Sequence, residues 1–160
     1  MTANLPNIEK LKVEKPYILH LKFRGRKWRT ANLAGLIARE TFLKPLSDAS
    51  LFAQAAVIDW GAGVGWSDDR DLSASTLWRI SEEQSAFTNA DFVRWQASLD
   101  LSNQEAADAL GLSLRTIKNI RSGVVPVANA VAIACRAMQA DRTLLAAHFE
   151  PRKPGRRKAA

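Results

Sequence analysis

Residues 102–123, SNQEAADALGLSLRTIKNIRSG, decide how this chain folds, because they read as two short helices separated by a single glycine. Ser102 and Glu105 have the S-x-x-E spacing in which a hydroxyl and a carboxylate satisfy the free backbone donors at a helix start, so a helix is expected over 103–110. Gly111 tolerates the positive φ that ends such a helix. Ser113 is then a fresh N-cap for a second helix that closes near Gly123. Ala106, Ala107 and Leu110 form the inward stripe of the first helix and Ile117 and Ile120 that of the second, with Leu112 plugging the turn. The two alanines let the helices cross closely. The spacing is that of a helix-turn-helix.

At about 100° per residue, Arg115, Lys118, Asn119 and Ser122 lie opposite Ile117 and Ile120. An arginine or asparagine on such a face can pair bidentately with a guanine or adenine edge, and lysine and serine serve phosphates or bases with less discrimination. In these residues the stretch from about 90 to 148 resembles the Xre or lambda-repressor-like family of bacterial DNA-binding domains. The resemblance implies a five-helix fold and DNA contacts from Ser113, Leu114, Arg115, Thr116, Lys118 and Asn119. Where family members often place a phosphate-binding glutamine at the start of the scaffold helix, this chain has Asn103 followed by Gln104, and Ile120 and Arg121 replace a common Trp-Glu pair. Asn103, Gln104 and Ser122 complete the expected DNA-binding set.

The flanks fit the same unit. Phe92, Trp95 and Leu99 recur at i, i+3 and i+7 as the core stripe of a preceding helix, with Thr88 and Asp91 at its start. An alanine-rich helix is expected over 127–138 with Val131, Ala134, Cys135 and Met138 inward, and Asp141 caps a last short helix carrying Leu144 and Leu145. Family members often dimerise through such late helices, and paired half-sites about 34 Å apart raise specificity, so a homodimer is expected.

The 160-residue chain is 47% hydrophobic, enough for one domain or two small ones. No apolar run reaches the ~20 residues of a membrane span, the N-terminus has no apolar signal core, and one cysteine, Cys135, excludes an internal disulfide. A cytoplasmic location follows as the expectation. The net charge of +7 is unevenly placed: residues 1–86 hold 12 basic and 10 acidic side chains, residues 87–150 hold six of each, and residues 151–160 hold five basic and no acidic ones. The helix-turn-helix region is therefore neutral, and the tail PRKPGRRKAA reads as a disordered basic end that can follow phosphates or simply solubilise the chain.

The N-terminal half changes period. Residues 8–13 and 17–23 alternate as strands, Gly25 marks a hairpin, and 27–31 returns as a third strand. A short helix over 33–38, a helix over 49–54, a strand over 55–59, a turn at Gly61, Gly63 and Gly65, a return strand from Val64 and a helix over 73–80 capped by Ser73 follow. The succession of the early hairpin, FLKPLSDASLFAQAAVIDW, GVGW and DLSASTLW resembles, over about 5–80, a bacterial domain of unknown function that occurs alone or fused ahead of a helix-turn-helix. Its members are suspected partners in toxin-antitoxin-like gene pairs, and the resemblance carries no catalytic residue. The polar stretch 81–91 then holds the linker.

Enzymatic constellations are missing from the pattern. GAGVG lacks the G-x-G-x-x-G spacing, Asp68, Asp69 and Asp71 lack the glycine and terminal glutamate of a calcium loop, and His20, His148 and Cys135 do not have the spacing of a metal cluster or a dyad. No cofactor is implied. Trp28 lies in the basic hairpin KFRGRKWR, where a cationic surface beside an aromatic ring competes with a solvated face and an inward Trp28; Trp60, Trp66 and Trp78 are expected in the core. The sequence thus predicts an α+β chain: a small antiparallel sheet with short helices over 1–82, an all-α five-helix helix-turn-helix unit over 83–150 and the basic tail over 151–160. The expected function is a DNA-binding transcriptional regulator with a recognition helix at about 114–122 and the first unit as a sensor or protein-binding module. The alternative is an antitoxin-like interaction module in which the helix-turn-helix is only a scaffold.

Overall fold

The computed structural model divides into two compact units, Met1–Ser85 and Ala86–Ala160. It describes residues 6–14, 16–67 and 69–151, so Asp68 and all of the basic tail beyond Pro151 lie outside the described residues. The chain is α+β, with two small antiparallel sheets and short helices followed by a run of helices.

In the first unit, β1 (Ile8–Glu14), β2 (Ile18–Phe23) and β3 (Trp28–Asn32) form an antiparallel sheet in that order. Period-two alternation sends Leu19, Leu21, Phe23 and Ala31 to a fully buried face. A register shift between Ile8 and Lys10 breaks the simple alternation expected for β1. The tight link before β2 uses Tyr17 at φ 64°, and the Tyr17 hydroxyl donates to the Ser47 carbonyl at 2.7 Å.

Next come α1 (Ala34–Arg39), a 3-10 stretch at Thr41–Ser47 that the sequence reading did not foresee, and α2 (Ala49–Phe52), which Asp48 caps. A second antiparallel sheet, also unforeseen as such, orders β4 (Ala56–Ile58), β5 (Gly63–Gly65) and β6 (Asp71–Ser73). Gly63 and Gly65 are therefore strand residues rather than turn residues. A Cβ on Gly63 would stand 2.7 Å from the Leu72 carbonyl oxygen, which explains why the central strand of this sheet is glycine-rich. Asp71 opens β6.

Helix α3 (Ala74–Glu83) begins at Ser73, whose hydroxyl accepts from Thr76 N at 3.2 Å. It extends three residues into the stretch read as a linker, because its polar residues are anchored. Ser81 is 3% exposed and donates to the Trp78 carbonyl at 2.7 Å. Just past the helix, Gln84 exchanges two hydrogen bonds with the backbone of Asn32, at 2.7 and 2.8 Å, and so satisfies part of the β3 edge.

Of the three tryptophans expected in the core, Trp66 and Trp78 pack there and Trp60 does not. Trp66 is buried and donates to the Phe52 carbonyl at 3.0 Å, and Trp78 is half-buried against Phe23. Trp60, expected in the core, is 94% exposed, because Asp59 and Trp60 both adopt left-handed backbone in a 3-10 turn at Asp59–Gly61 that turns the side chain outward. Trp28 also faces out, at 42% exposure.

The second unit holds five helices among the described residues: α4 (Asn89–Ser98), α5 (Asn103–Leu110), α6 (Leu114–Arg121), α7 (Asn129–Ala140) and α8 (Arg142–His148). Their core gathers Phe92, Trp95, Ala106, Ala107, Ile117, Ile120 and Cys135. Helix α7 starts and ends two residues later than its apolar pattern suggests, after the extended stretch around Pro126.

Candidate nucleic-acid interface

The helix-turn-helix is formed by α5 and α6. At the start of α5 the Ser102 hydroxyl accepts from Glu105 N at 3.2 Å while Glu105 accepts from Ser102 N at 2.8 Å, both halves of the capping box the sequence predicts. Gly111 ends the helix at φ 65°, a left-handed conformation that glycine adopts without Cβ strain. Ser113 then caps α6 by accepting from Thr116 N at 3.0 Å.

Packing fixes which way α6 faces. Ile117 is fully buried and Ile120 is 2% exposed, both against Ala106 and Ala107 of the shared core, so the opposite side is left to solvent. Truncating either isoleucine to alanine would cost about 2–5 kcal/mol, enough to dominate the energetics of so small a unit. Arg115, Lys118 and Ser122 are exposed and Asn119 is half-buried, at positions i, i+3, i+4 and i+7 of one face. Leu114 and Thr116 are half-buried at its start. The arrangement presents two cations and one amide on a rigid two-turn rod.

The remaining expected residues are less free. The Ser113 and Thr116 hydroxyls lie 2.8 Å apart and bond to each other, and Ser122 Oγ donates to the Asn119 carbonyl at 3.2 Å. Gln104 Nε2 donates to Asp108 at 3.0 Å along α5. Half-buried Asn103 accepts through Oδ1 from Gln96 Nε2 at 3.0 Å, which fixes its amide at the start of α5.

Two residues that hold this site together were missed from the sequence. Gln96, 3% exposed, donates to the Leu101 carbonyl at 2.8 Å as well as to Asn103, and accepts from Arg121 Nη1 at 2.8 Å. Asn89 Nδ2 donates to the carbonyls of Ile120 and Val125, both at 2.7 Å, pinning the end of α6 to the start of α4. A glutamine and an asparagine at core-side positions of a helix were the available signal, since buried amides must find partners.

Charge and chemistry elsewhere are quiet. Burial pushes the Cys135 thiol up to about 12, with Arg136 opposing weakly. Among the described residues no group of three or more His, Cys, Asp or Glu side chains could hold a metal ion, and no helix is long and apolar enough to cross a membrane.

No family model matches the chain, and no curated protein matches it. Among solved structures, one from Nitrosomonas europaea described as a "Putative DNA Binding Protein" is similar, at 22% identity over 86% of this chain and 88% of that one, with a TM-score of 0.48.

Proposed function

We propose that the chain is a sequence-specific DNA-binding regulator of transcription in which α6 enters the major groove. The observation that carries this reading is the outward face of α6, where Arg115, Lys118 and Asn119 stand opposite the buried Ile117 and Ile120. Arg115 and Asn119 are assigned to base edges and Lys118 to a phosphate. The amide of Asn103, held through Oδ1 by Gln96, is assigned to a backbone phosphate at the start of α5, the place at which lambda-repressor-like domains, which this unit resembles, put a glutamine. Gln104, Ser113, Leu114, Thr116 and Ser122 would line the same surface. A homodimer acting in the cytoplasm, with a protein partner on the first unit, completes the reading.

The test is selection from a random double-stranded pool near 150 mM salt, repeated with Arg115→Ala/Asn119→Ala. Enrichment of a motif, palindromic for a dimer and lost in the double variant, supports regulation by DNA reading. The balance of six basic and six acidic residues over 87–150 favours a second reading, an antitoxin-like protein-interaction module. A folded protein that enriches nothing would sustain that one instead.

A further inference from the structure

The first unit concentrates its positive charge in the segment that forms its first sheet. Residues 8–32 hold eight Lys and Arg against two acidic side chains, whereas residues 33–86 hold four against eight. Strand register aligns Lys10, Lys22 and Trp28 in one row across β1, β2 and β3, and Lys12, His20 and Thr30 in the next. All six lie on the face opposite the buried Leu19, Leu21 and Ala31, and each is exposed or half-buried. The turn at 24–27 adds exposed Arg24 and Lys27, while the Arg26 guanidinium is stacked over Trp78, 4.4 Å from its ring centroid. Of the two acidic side chains, Glu14 lies 2.5 Å from His20 and Glu9 4.0 Å from Lys22; among the described residues no carboxylate pairs with Lys10, Lys12, Arg24 or Lys27.

Trp28 gives this face its specificity. Trp28 is 42% exposed, the Lys12 ammonium stands over its ring at 5.2 Å from the centroid, and a long exposed lysine is a cover that another planar group can displace. A depression of about 370 Å3 beside the ring is lined by Lys27, Arg29, Thr30 and Gln84. It shares Thr30 and Gln84 with a larger one of about 830 Å3 that runs past Asn32 to Arg39. Together they form a track along β3 with Lys27 and Arg29 at one end and Arg39 beside Glu40 at the other.

We propose that this face binds single-stranded nucleic acid, with a base stacked on Trp28 and phosphates paired with Lys10, Lys12 and the turn at 24–27. Stacking needs an unpaired base, which excludes a duplex as the occupant, and it accepts any base because each has a π-face. When a base takes the ring, the displaced Lys12 ammonium is freed for the neighbouring phosphate. An acidic peptide would satisfy the lysines but would leave the indole face uncovered. The inference concerns the first unit and stands independently of what α6 reads.

Fluorescence anisotropy of labelled dT12 and U12 with the full chain tests it. Both are expected to bind alike, because neither stacking nor phosphate pairing touches the 2′-hydroxyl. Trp28→Ala is expected to weaken binding about tenfold and Trp28→Phe to restore most of it. Lys10→Glu/Lys12→Glu is expected to lower the slope of log affinity against log salt by about 1.4, two phosphate contacts' worth. Binding unchanged by Trp28→Ala, or competed equally well by poly-glutamate, would overturn the proposal by reducing the face to a generic polyanion surface. Loss in Arg115→Ala/Asn119→Ala without loss in Trp28→Ala would overturn it by moving the strand to the helix-turn-helix.

Discussion

Arg121, in the last turn of α6, donates through Nη1 to Oε1 of Gln96 on α4 at 2.8 Å. The same glutamine holds Leu101 and Asn103, so one buried amide ties the end of α6 to the start of α5. Removing it takes a hydrogen bond from the Leu101 carbonyl, from Asn103 and from the Arg121 guanidinium together. Gln96→Ala is expected to destabilise the second unit by about 2 kcal/mol and Arg121→Ala by about 1 kcal/mol, in urea denaturation followed through Trp95. Equal effects would mean that Gln96 acts only through Arg121.

Gly61 and Gly111 both have positive φ, yet their surroundings differ. A Cβ on Gly111 meets nothing within 4 Å, whereas one on Gly61 would stand 2.4 Å from the Ile8 carbonyl oxygen and 2.0 Å from the Asn7 side-chain amide. Gly111→Ala is therefore expected to cost about 1 kcal/mol, the backbone term alone. Gly61→Ala adds overpacking and is expected to cost at least about 2 kcal/mol, read as a lower thermal midpoint of the first unit.

Asp91 accepts from both the backbone N and the hydroxyl of Thr88 at 2.7 Å and is also bonded to Arg94. The Thr88 hydrogen bonds, chiefly, hold its carboxyl below the ordinary 3.8. Because the folded value is the lower one, the stabilisation is present above pH 3.8 and is lost as pH falls through the folded value. Asp91→Asn is expected to cost about 1 kcal/mol at neutral pH and to flatten acid unfolding in that window. An unchanged acid limb in a pH titration of stability would remove Asp91 from the account.

Cys135 is fully buried and its thiol is raised to about 12. The folded chain is expected to resist a thiol reagent at pH 8 and to react fully once unfolded, so labelling measures opening of the second unit. Its folded value lies above that of the unfolded thiol, so its contribution is complete below about pH 9 and declines from there toward 12.

The second unit was legible because its signals are local. The capping pairs Ser102/Glu105 and Thr88/Asp91 and the left-handed Gly111 act within four residues, and α5 spans the predicted residues 103–110. The first unit hid what depends on distant partners. Nothing near Trp60 in the chain says that two successive left-handed residues will turn it into solvent. The pairing of β6 with β5, and the hold of Gln84 on Asn32, are likewise set across the fold. The outward face of α6 followed from helical geometry alone, whereas the role of Gln96 required knowing which helices meet.

Helix α6 has eight residues, stopped at one end by Gly111 and Ser113 and at the other by Ser122 and Gly123. Such a rod is about 12 Å long, the rise of roughly four base pairs. Four base pairs recur by chance about every 250 positions when each pair is fully distinguished. In a genome offering ~10⁶ or more competing sites, one α6 carries too little information to address a single locus. If α6 reads DNA, the number of copies engaged side by side, more than the strength of any one contact, would set how sharply the chain selects its address.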